Sequence, residues 1–307
     1  MVSNLFIDLE GNPIPDELIL GYGGTGVVIR FNDRAVKLPC RHPFSSPADF
    51  QGNICVIRHE QDVYRRLLSF PRQMWDCIVP CLEIFPNATH LAYMPNGDLA
   101  GYLEHNPRPP REVQLRWFCQ MARALVQIHD KCVLVADIAS RNFLLDSDLS
   151  LRLCDFSEAS ILPLGTDMDT VDDDGFSGKI DIGELGAVMY EVITGETLEL
   201  ELFRDSPTQE SRARLPQRSS LPSTDGLWLG TIIDTCWTGG FQNARCLLDM
   251  LETVELEAEP DQETRYWTMM SSLPLQIFQP DVPTSFIVLS IAMAAGIVMS
   301  AWLKRKS

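Results

Sequence analysis

Residues 137–157 read D-I-A-S-R-N-F-L-L-D-S-D-L-S-L-R-L-C-D-F-S. Asn142 follows Asp137 by five positions, and Asp155-Phe156 comes thirteen residues after that. The apolar runs at 143–145 and 151–154 predict two short strands, which would bring the three polar residues together. Two carboxylates and a carboxamide so placed can hold divalent cations against a phosphate and orient a hydroxyl for attack. Phosphoryl transfer asks little more of a protein than positioning and charge neutralisation. Asp and Asn also cap ordinary turns, so the pattern has to be weighed against the rest of the chain.

The chain has 307 residues, 45% of them hydrophobic. That is room for one large two-lobed domain, or two small ones, with a sizeable core. A net charge of −17 argues against a nucleic-acid partner and against electrostatic adsorption to anionic lipid. Nine cysteines occur without a C-x-x-C pair, the pattern of buried thiols in a reducing compartment rather than of a disulfide framework or zinc site. No basic and then apolar opening segment reads as a secretory signal.

Outward from the quoted stretch, residues 1–16 form a short lead. Residues 17–38 predict three strands, the first two joined by Gly21-Tyr22-Gly23-Gly24-Thr25-Gly26 and the next two by a turn at Asn32-Asp33. A loop is expected over 39–53 and a helix over 54–70, with Val56, Ile57, Val63, Tyr64, Leu67 and Leu68 as its apolar stripe. Two more strands fall within 78–94. Residues 112–130 predict an amphipathic helix carrying Trp117, Phe118, Met121, Leu125 and Ile128, and 181–254 reads as mainly helical. A strand-rich half followed by a helix-rich half predicts an α+β fold of two lobes, 17–95 and 96–254, with a cleft between them.

Glu60 falls inside the apolar stripe of its helix. A carboxylate there is costly unless a cation pairs with it, and Lys37 in the strand Ala35-Val36-Lys37-Leu38 is the natural partner. Gly21-x-Gly23-x-x-Gly26-x-Val28 lies between two strands and lets backbone approach a phosphate closely. A strand follows it rather than a helix, which excludes the dinucleotide-binding fold.

Taken in order, these motifs resemble a eukaryotic protein kinase domain over residues 17 to 254. The glycine loop, the A-V-K strand, Glu60, D-I-A-S-R-N and Asp155-Phe156 carry the likeness. Residues 91–99 (L-A-Y-M-P-N-G-D-L) resemble a gatekeeper and hinge, with Leu91 as gatekeeper. The segment from Asp181 (D-I-G-E-L-G) resembles the buried helix that anchors the catalytic loop, and Cys236-Trp237 with Arg245 resembles the late helices of the large lobe. The resemblance implies that Gly21, Gly23, Gly26 and Val28 cover ATP. It implies that Lys37, held by Glu60, binds the α- and β-phosphates, that Met94 meets adenine and that Asp98 meets the ribose. Asp137 would take or orient the substrate hydroxyl, and Asn142 and Asp155 would hold Mg²⁺. The partners implied are ATP and an unknown protein substrate.

Several positions depart from the family pattern. Val135-Ala136-Asp137 stands where H-R-D is usual, so an arginine that reads an activation-loop phosphate is absent. Asp155-Phe156-Ser157 replaces D-F-G, and serine is expected to resist a positive φ. No A-P-E is found, and Asp181 follows Asp155 by 26 residues, about ten fewer than the family has. Arg245 therefore lacks its usual glutamate, and Asp172-Asp173-Asp174 reads as a solvated loop with no receiver. The first reading is an active protein kinase. The alternative is a pseudokinase, an ATP-binding interaction module. A kinase of small molecules is disfavoured by Cys236-Trp237 and Arg245. The D-I-A-S-R-N loop is closer to the tyrosine-kinase form than to the serine/threonine form.

Residues 255–284 read as a polar, Pro-containing linker. Residues 285–303 (SFIVLSIAMAAGIVMSAWL) contain no charge and precede the basic tail 304–307. Nineteen residues rise about 28 Å as a helix, close to bilayer thickness. A C-terminal tail anchor in the lipid bilayer is expected, with the folded domain in the cytosol, on the mitochondrial outer membrane or the endoplasmic reticulum.

Overall fold

The computed structural model describes residues 5–69, 76–203 and 212–256. The β-branched runs near the start form β1 (Ile19–Tyr22), β2 (Gly26–Phe31) and β3 (Arg34–Pro39). With β4 (Cys81–Phe85) and β5 (Ala88–Ala92) they make an antiparallel sheet in the order β1-β2-β3-β5-β4. Register places Val28 opposite Lys37 and Leu91 opposite Ala35.

Between β3 and β4 runs α1 (Pro47–Leu68). It starts at Pro47, well before the 54 that the apolar stripe predicts. Ser46 caps it, its side chain accepting from the Asp49 amide at 3.1 Å, and proline takes the first helical position. Both are local signals that periodicity does not carry.

Residues 5–15, expected as a lead, pack on the sheet. Phe6 and Ile14 are buried with Val27, Val36 and Leu38 in a cluster of their own. The Ile7 amide donates to Arg41 O at 2.9 Å, and Ile14 N donates to Phe6 O at 2.9 Å.

The large lobe holds α2 (Leu99–His105), α3 (Arg111–His129), β6 (Val133–Leu134), β7 (Phe143–Leu145), β8 (Leu151–Leu153), β9 (Ser160–Ile161), α4 (Gly178–Thr194), α5 (Gly230–Trp237) and α6 (Ala244–Glu252). The predicted stripe of α3 is its buried face: Trp117, Phe118, Met121, Leu125 and Ile128 are all solvent-free. α4 is buried on nearly every side, as a central helix of a large lobe must be. At Gly186 a Cβ would stand 2.7 Å from Cys236 Cβ, so α4 and α5 approach too closely for any side chain there.

Residues 195–229 were expected to continue a mainly helical half. Among the described residues of that stretch the structure has only a 3-10 turn at Arg218–Ser220. Pro216, Pro222 and Gly226 there oppose a longer helix. One apolar cluster runs from Ala35 and Leu91 of the sheet through Tyr64 and Phe156 to Leu251 of α6, so the two lobes share a core below the cleft.

The apolar stretch at 285–303, its basic tail and nearly all of the 255–284 linker lie outside the described residues. Among the described residues no helix is long and apolar enough to cross a membrane.

Candidate active site

Three elements far apart in sequence deliver one ion cluster. Lys37 Nζ of β3 lies 2.8 Å from Glu60 Oε2 of α1 and 2.9 Å from Asp155 Oδ1 after β8. Lys37 and Glu60 are buried. Burial works against the charge on Lys37, but Glu60 and then Asp155 outweigh it and raise its pKa, so it stays cationic. Burial alone would raise Asp155. Lys37 and the Ser157 amide at 3.2 Å hold it below the usual carboxylate range. The second oxygen of Glu60 accepts from the Phe156 amide at 3.3 Å. That bond joins α1 to the segment where Phe156 packs edge-on against Tyr64, ring centroids 5.3 Å apart.

The last glycine of the loop borders this cluster. Gly26 leaves room for Lys37, since a Cβ there would stand 3.1 Å from Lys37 Cε. At Gly21 and Gly23 a Cβ would meet nothing within 4 Å, which leaves open space above the sheet for a ligand to come close to the backbone.

Asp137, Arg141 and Asn142 are knitted together below. Asp137 Oδ1 accepts from Arg141 Nη2 at 2.6 Å, and its Oδ2 accepts from Asn142 Nδ2 at 3.0 Å. Asn142 Nδ2 also donates to Asp137 O at 2.9 Å, so its amide nitrogen is spent and Oδ1 is left to serve as a ligand. The Cys154 amide donates to Asn142 O at 2.8 Å, which fixes Asn142 beside the strand that ends at Asp155.

The loop hangs from Asp181 of α4. Its Oδ1 accepts from the Ala136 amide at 2.9 Å, and its Oδ2 accepts from the Val135 amide at 3.0 Å and from His129 Nε2 at 2.7 Å. Ala136 has φ 62, a left-handed conformation that costs roughly 1–2 kcal/mol. The buried Asp181 carboxylate keeps it there. Ser157, expected to resist a positive φ, does not have one; the left-handed residue is Asp155, φ 59. Asp tolerates that conformation because its own carboxylate takes the amide two residues on.

Leu91, Met94 and Asp98 lie along the chain from β5 to the start of α2. Leu91 and Met94 are buried, and Met94 O accepts from the Gly97 amide at 3.3 Å. Asp98 caps α2, its Oδ1 accepting from the Gly101 amide at 2.8 Å. Among the described residues no hydrogen bond joins these three to Lys37, Asp137 or Asp155. The acidic run does have a receiver: Arg212 Nη2 lies 2.5 Å from Asp172 Oδ1. Arg245 finds Asp130 at 3.9 Å, with both groups exposed, a weak pair. Three residues escaped the sequence reading. His129 steadies Asp181. Buried Gln61 ties α1 to Phe85 O and Ala88 O. Glu184 accepts from the Ile138 amide at 3.2 Å. The first two sit inside apolar stripes, the same signal that exposed Glu60.

A profile described as "Protein kinase domain" matches residues 17–214. The chain belongs to the protein kinase domain family. Among its relatives, L-type lectin-domain containing receptor kinase V.5 of Arabidopsis thaliana is 32% identical over 60% of this chain and 30% of its own length. L-type lectin-domain containing receptor kinase I.3 of the same plant is 27% identical over 66% and 33%. Tyrosine-protein kinase JAK3 of Rattus norvegicus is 26% identical over 34% and 11%. The chain thus spans about a third or less of the length of these relatives.

The residues of this kinase domain fit the nucleotide and metal that the family implies. The loop presents open backbone, Lys37 is held cationic, and Asp155 is held anionic beside a free Asn142 oxygen. Two protein ligands suit Mg²⁺, which takes its remaining oxygens from water and phosphate.

Glu184 gives a pH signature. Burial, and then the charge of Asp181, push its carboxyl up to about 8. A carboxyl raised on folding stabilises fully below its unfolded value of 4.5, and that contribution is lost as pH rises through about 8. The wild-type melting temperature should therefore fall more steeply from pH 5 to pH 8 than that of Glu184→Gln. Parallel curves would contradict this assignment.

Proposed function

We propose that this chain is an ATP-dependent protein kinase, tethered to a membrane, that transfers the γ-phosphate of Mg·ATP to a protein hydroxyl. The observation that carries the reading is the Lys37–Glu60–Asp155 cluster set beside the Asp137–Asn142 pair. Mg·ATP supplies the phosphoryl group and the cation that offsets its charge. Lys37 holds the α- and β-phosphates, and Glu60 and Asp155 fix its ammonium in place. The backbone at Gly21, Gly23 and Gly26 closes over the phosphates, and Val28 packs beneath the loop. Leu91 and Met94 border the adenine, and Asp98 offers its remaining oxygen to the ribose. Asn142 and Asp155 present their oxygens to Mg²⁺. Asp137, steadied by Arg141, accepts or orients the substrate hydroxyl.

The short segment between Asp155 and Asp181 favours the second reading, a nucleotide-binding pseudokinase. One set of proteins separates the two. Mg·ATP should raise the melting temperature of the wild type, and Asp155→Ala should abolish the shift. Asp137→Asn should keep the shift and lose phosphate transfer, because Asp137 acts on the nucleophile and not on the nucleotide. An unchanged wild-type melt at saturating Mg·ATP would contradict nucleotide binding. A wild type that binds but transfers to no substrate would leave the pseudokinase.

For the tether we propose that residues 285–303 form a tail anchor. The length of the uncharged run supports it. Chain truncated after residue 284 should move from the membrane pellet to the soluble fraction. Retention in the pellet would refute the anchor, and protection of the kinase domain from added protease in intact organelles would refute the cytosolic topology.

A further inference from the structure

The small lobe carries an apolar face open to solvent. Phe44 is 98% exposed, Tyr22 67% and Leu5 49%. Apolar side chains scattered singly over a surface are ordinary, but these converge on one spot. The Phe6 ring lies 5.1 Å from the Tyr22 ring and 4.9 Å from the His42 ring. His42 Nδ1 and Leu5 O are 2.8 Å apart. Phe44 stands in the turn that starts at His42, which the Ser45 amide closes by donating to His42 O at 3.0 Å. The His42 amide donates to Ser45 Oγ at 2.9 Å, and the Cys40 amide to Thr25 O at 2.8 Å. Phe44 is thus presented on a bonded turn, with its ring left in water. On β1, Leu20 shares the solvent side with Tyr22.

The size and charge of this face decide what fits it. A stable protein partner buries about 800 Å² on each side, more than a few side chains around one turn supply. A bilayer asks for less. A tethered domain meets it at high effective concentration, and aromatic side chains settle at headgroup depth. The net charge of −17 repels anionic lipid, which leaves neutral headgroups.

We propose that the face formed by Leu5, Tyr22 and Phe44 seats the folded domain on the neutral lipid surface of the membrane that holds residues 285–303. The inference rests on the tail-anchor reading. A coil as long as 257–284 reaches only about 30 Å, so the tether keeps the domain beside the bilayer. Tyr22 stands between Gly21 and Gly23, so the seated face adjoins the loop proposed to close over ATP.

The test places the full 307-residue chain, carrying Phe44→p-benzoylphenylalanine, in phosphatidylcholine vesicles that contain an alkyne-tagged phosphatidylcholine. Light then cross-links residue 44 to whatever covers it. The lipid adduct should form at least tenfold above that of Glu104→p-benzoylphenylalanine, at an exposed position on α2. Adding Leu5→Asp should cut the yield at least fivefold in a protein whose melt is unchanged. A lipid adduct no stronger at 44 than at 104 would overturn the proposal, and this comparison does not need the Leu5 variant to fold. A cross-linked product of twice the chain's mass would assign the face to a second copy and overturn it too. So would a yield that Leu5→Asp leaves untouched in the folded variant. A chain that does not float with the vesicles would overturn the anchor and this inference together. A floating chain without the adduct would overturn this inference alone.

Discussion

A buried lysine between two carboxylates is the constraint on which the rest of this structure depends. Lys37, Glu60 and Asp155 come from β3, from α1 and from the segment after β8, and the paired charges hold one another in place. Removing one partner of a buried ion pair leaves an uncompensated charge, at a cost of about 3–5 kcal/mol. The cluster therefore fixes the position of α1 against the sheet. Through the Glu60 bond to the Phe156 amide it also fixes the segment that carries Asp155. The shared apolar core beneath, with Tyr64 against Phe156, gives α1 a second reason to remain where it is.

The catalytic loop is held by different means. Asp181 accepts two loop amides and the His129 ring. That is strong enough to keep Ala136 in a conformation alanine avoids. Asp155 is left-handed too. The two strained residues lie at Asp155 and immediately before Asp137, the positions where the chain must turn sharply to aim a carboxylate into the cleft. The activation segment needs no phosphate to find partners: Asp172 meets Arg212, and Asp169 meets Gln242 and Asn243.

Much of this was legible in the sequence, and the reasons are physical. Glu60 announced its pairing because a carboxylate in an apolar stripe demands a cation. Asp137, Asn142 and Asp155 were legible because a short hairpin leaves few ways to arrange them. The first turns of α1 were missed because a capping serine and a proline carry no apolar period. Phe6 and Ile14 gave no local sign of burial, because the strands that cover them come later in the chain. Arg212 as the receiver for Asp172, and Glu184 as the acceptor of the Ile138 amide, depend on contacts between separate segments that no single stretch encodes. Serine was expected to resist a positive φ at 157 and does, whereas the left-handed turn at Asp155 gave no sequence signal because it rests on that carboxylate bonding its own downstream amide.

The proposed nucleotide site requires Lys37 and Glu60 to act as one unit. A calorimetric double-mutant cycle tests it directly, with Mg·ATP affinity measured for the wild type, Lys37→Met, Glu60→Gln and the double variant. Each single change should weaken binding at least tenfold, about 1.4 kcal/mol, and the double variant should bind no more weakly than Lys37→Met. Losses that simply add, or a Glu60→Gln protein that binds Mg·ATP as well as the wild type, would contradict it.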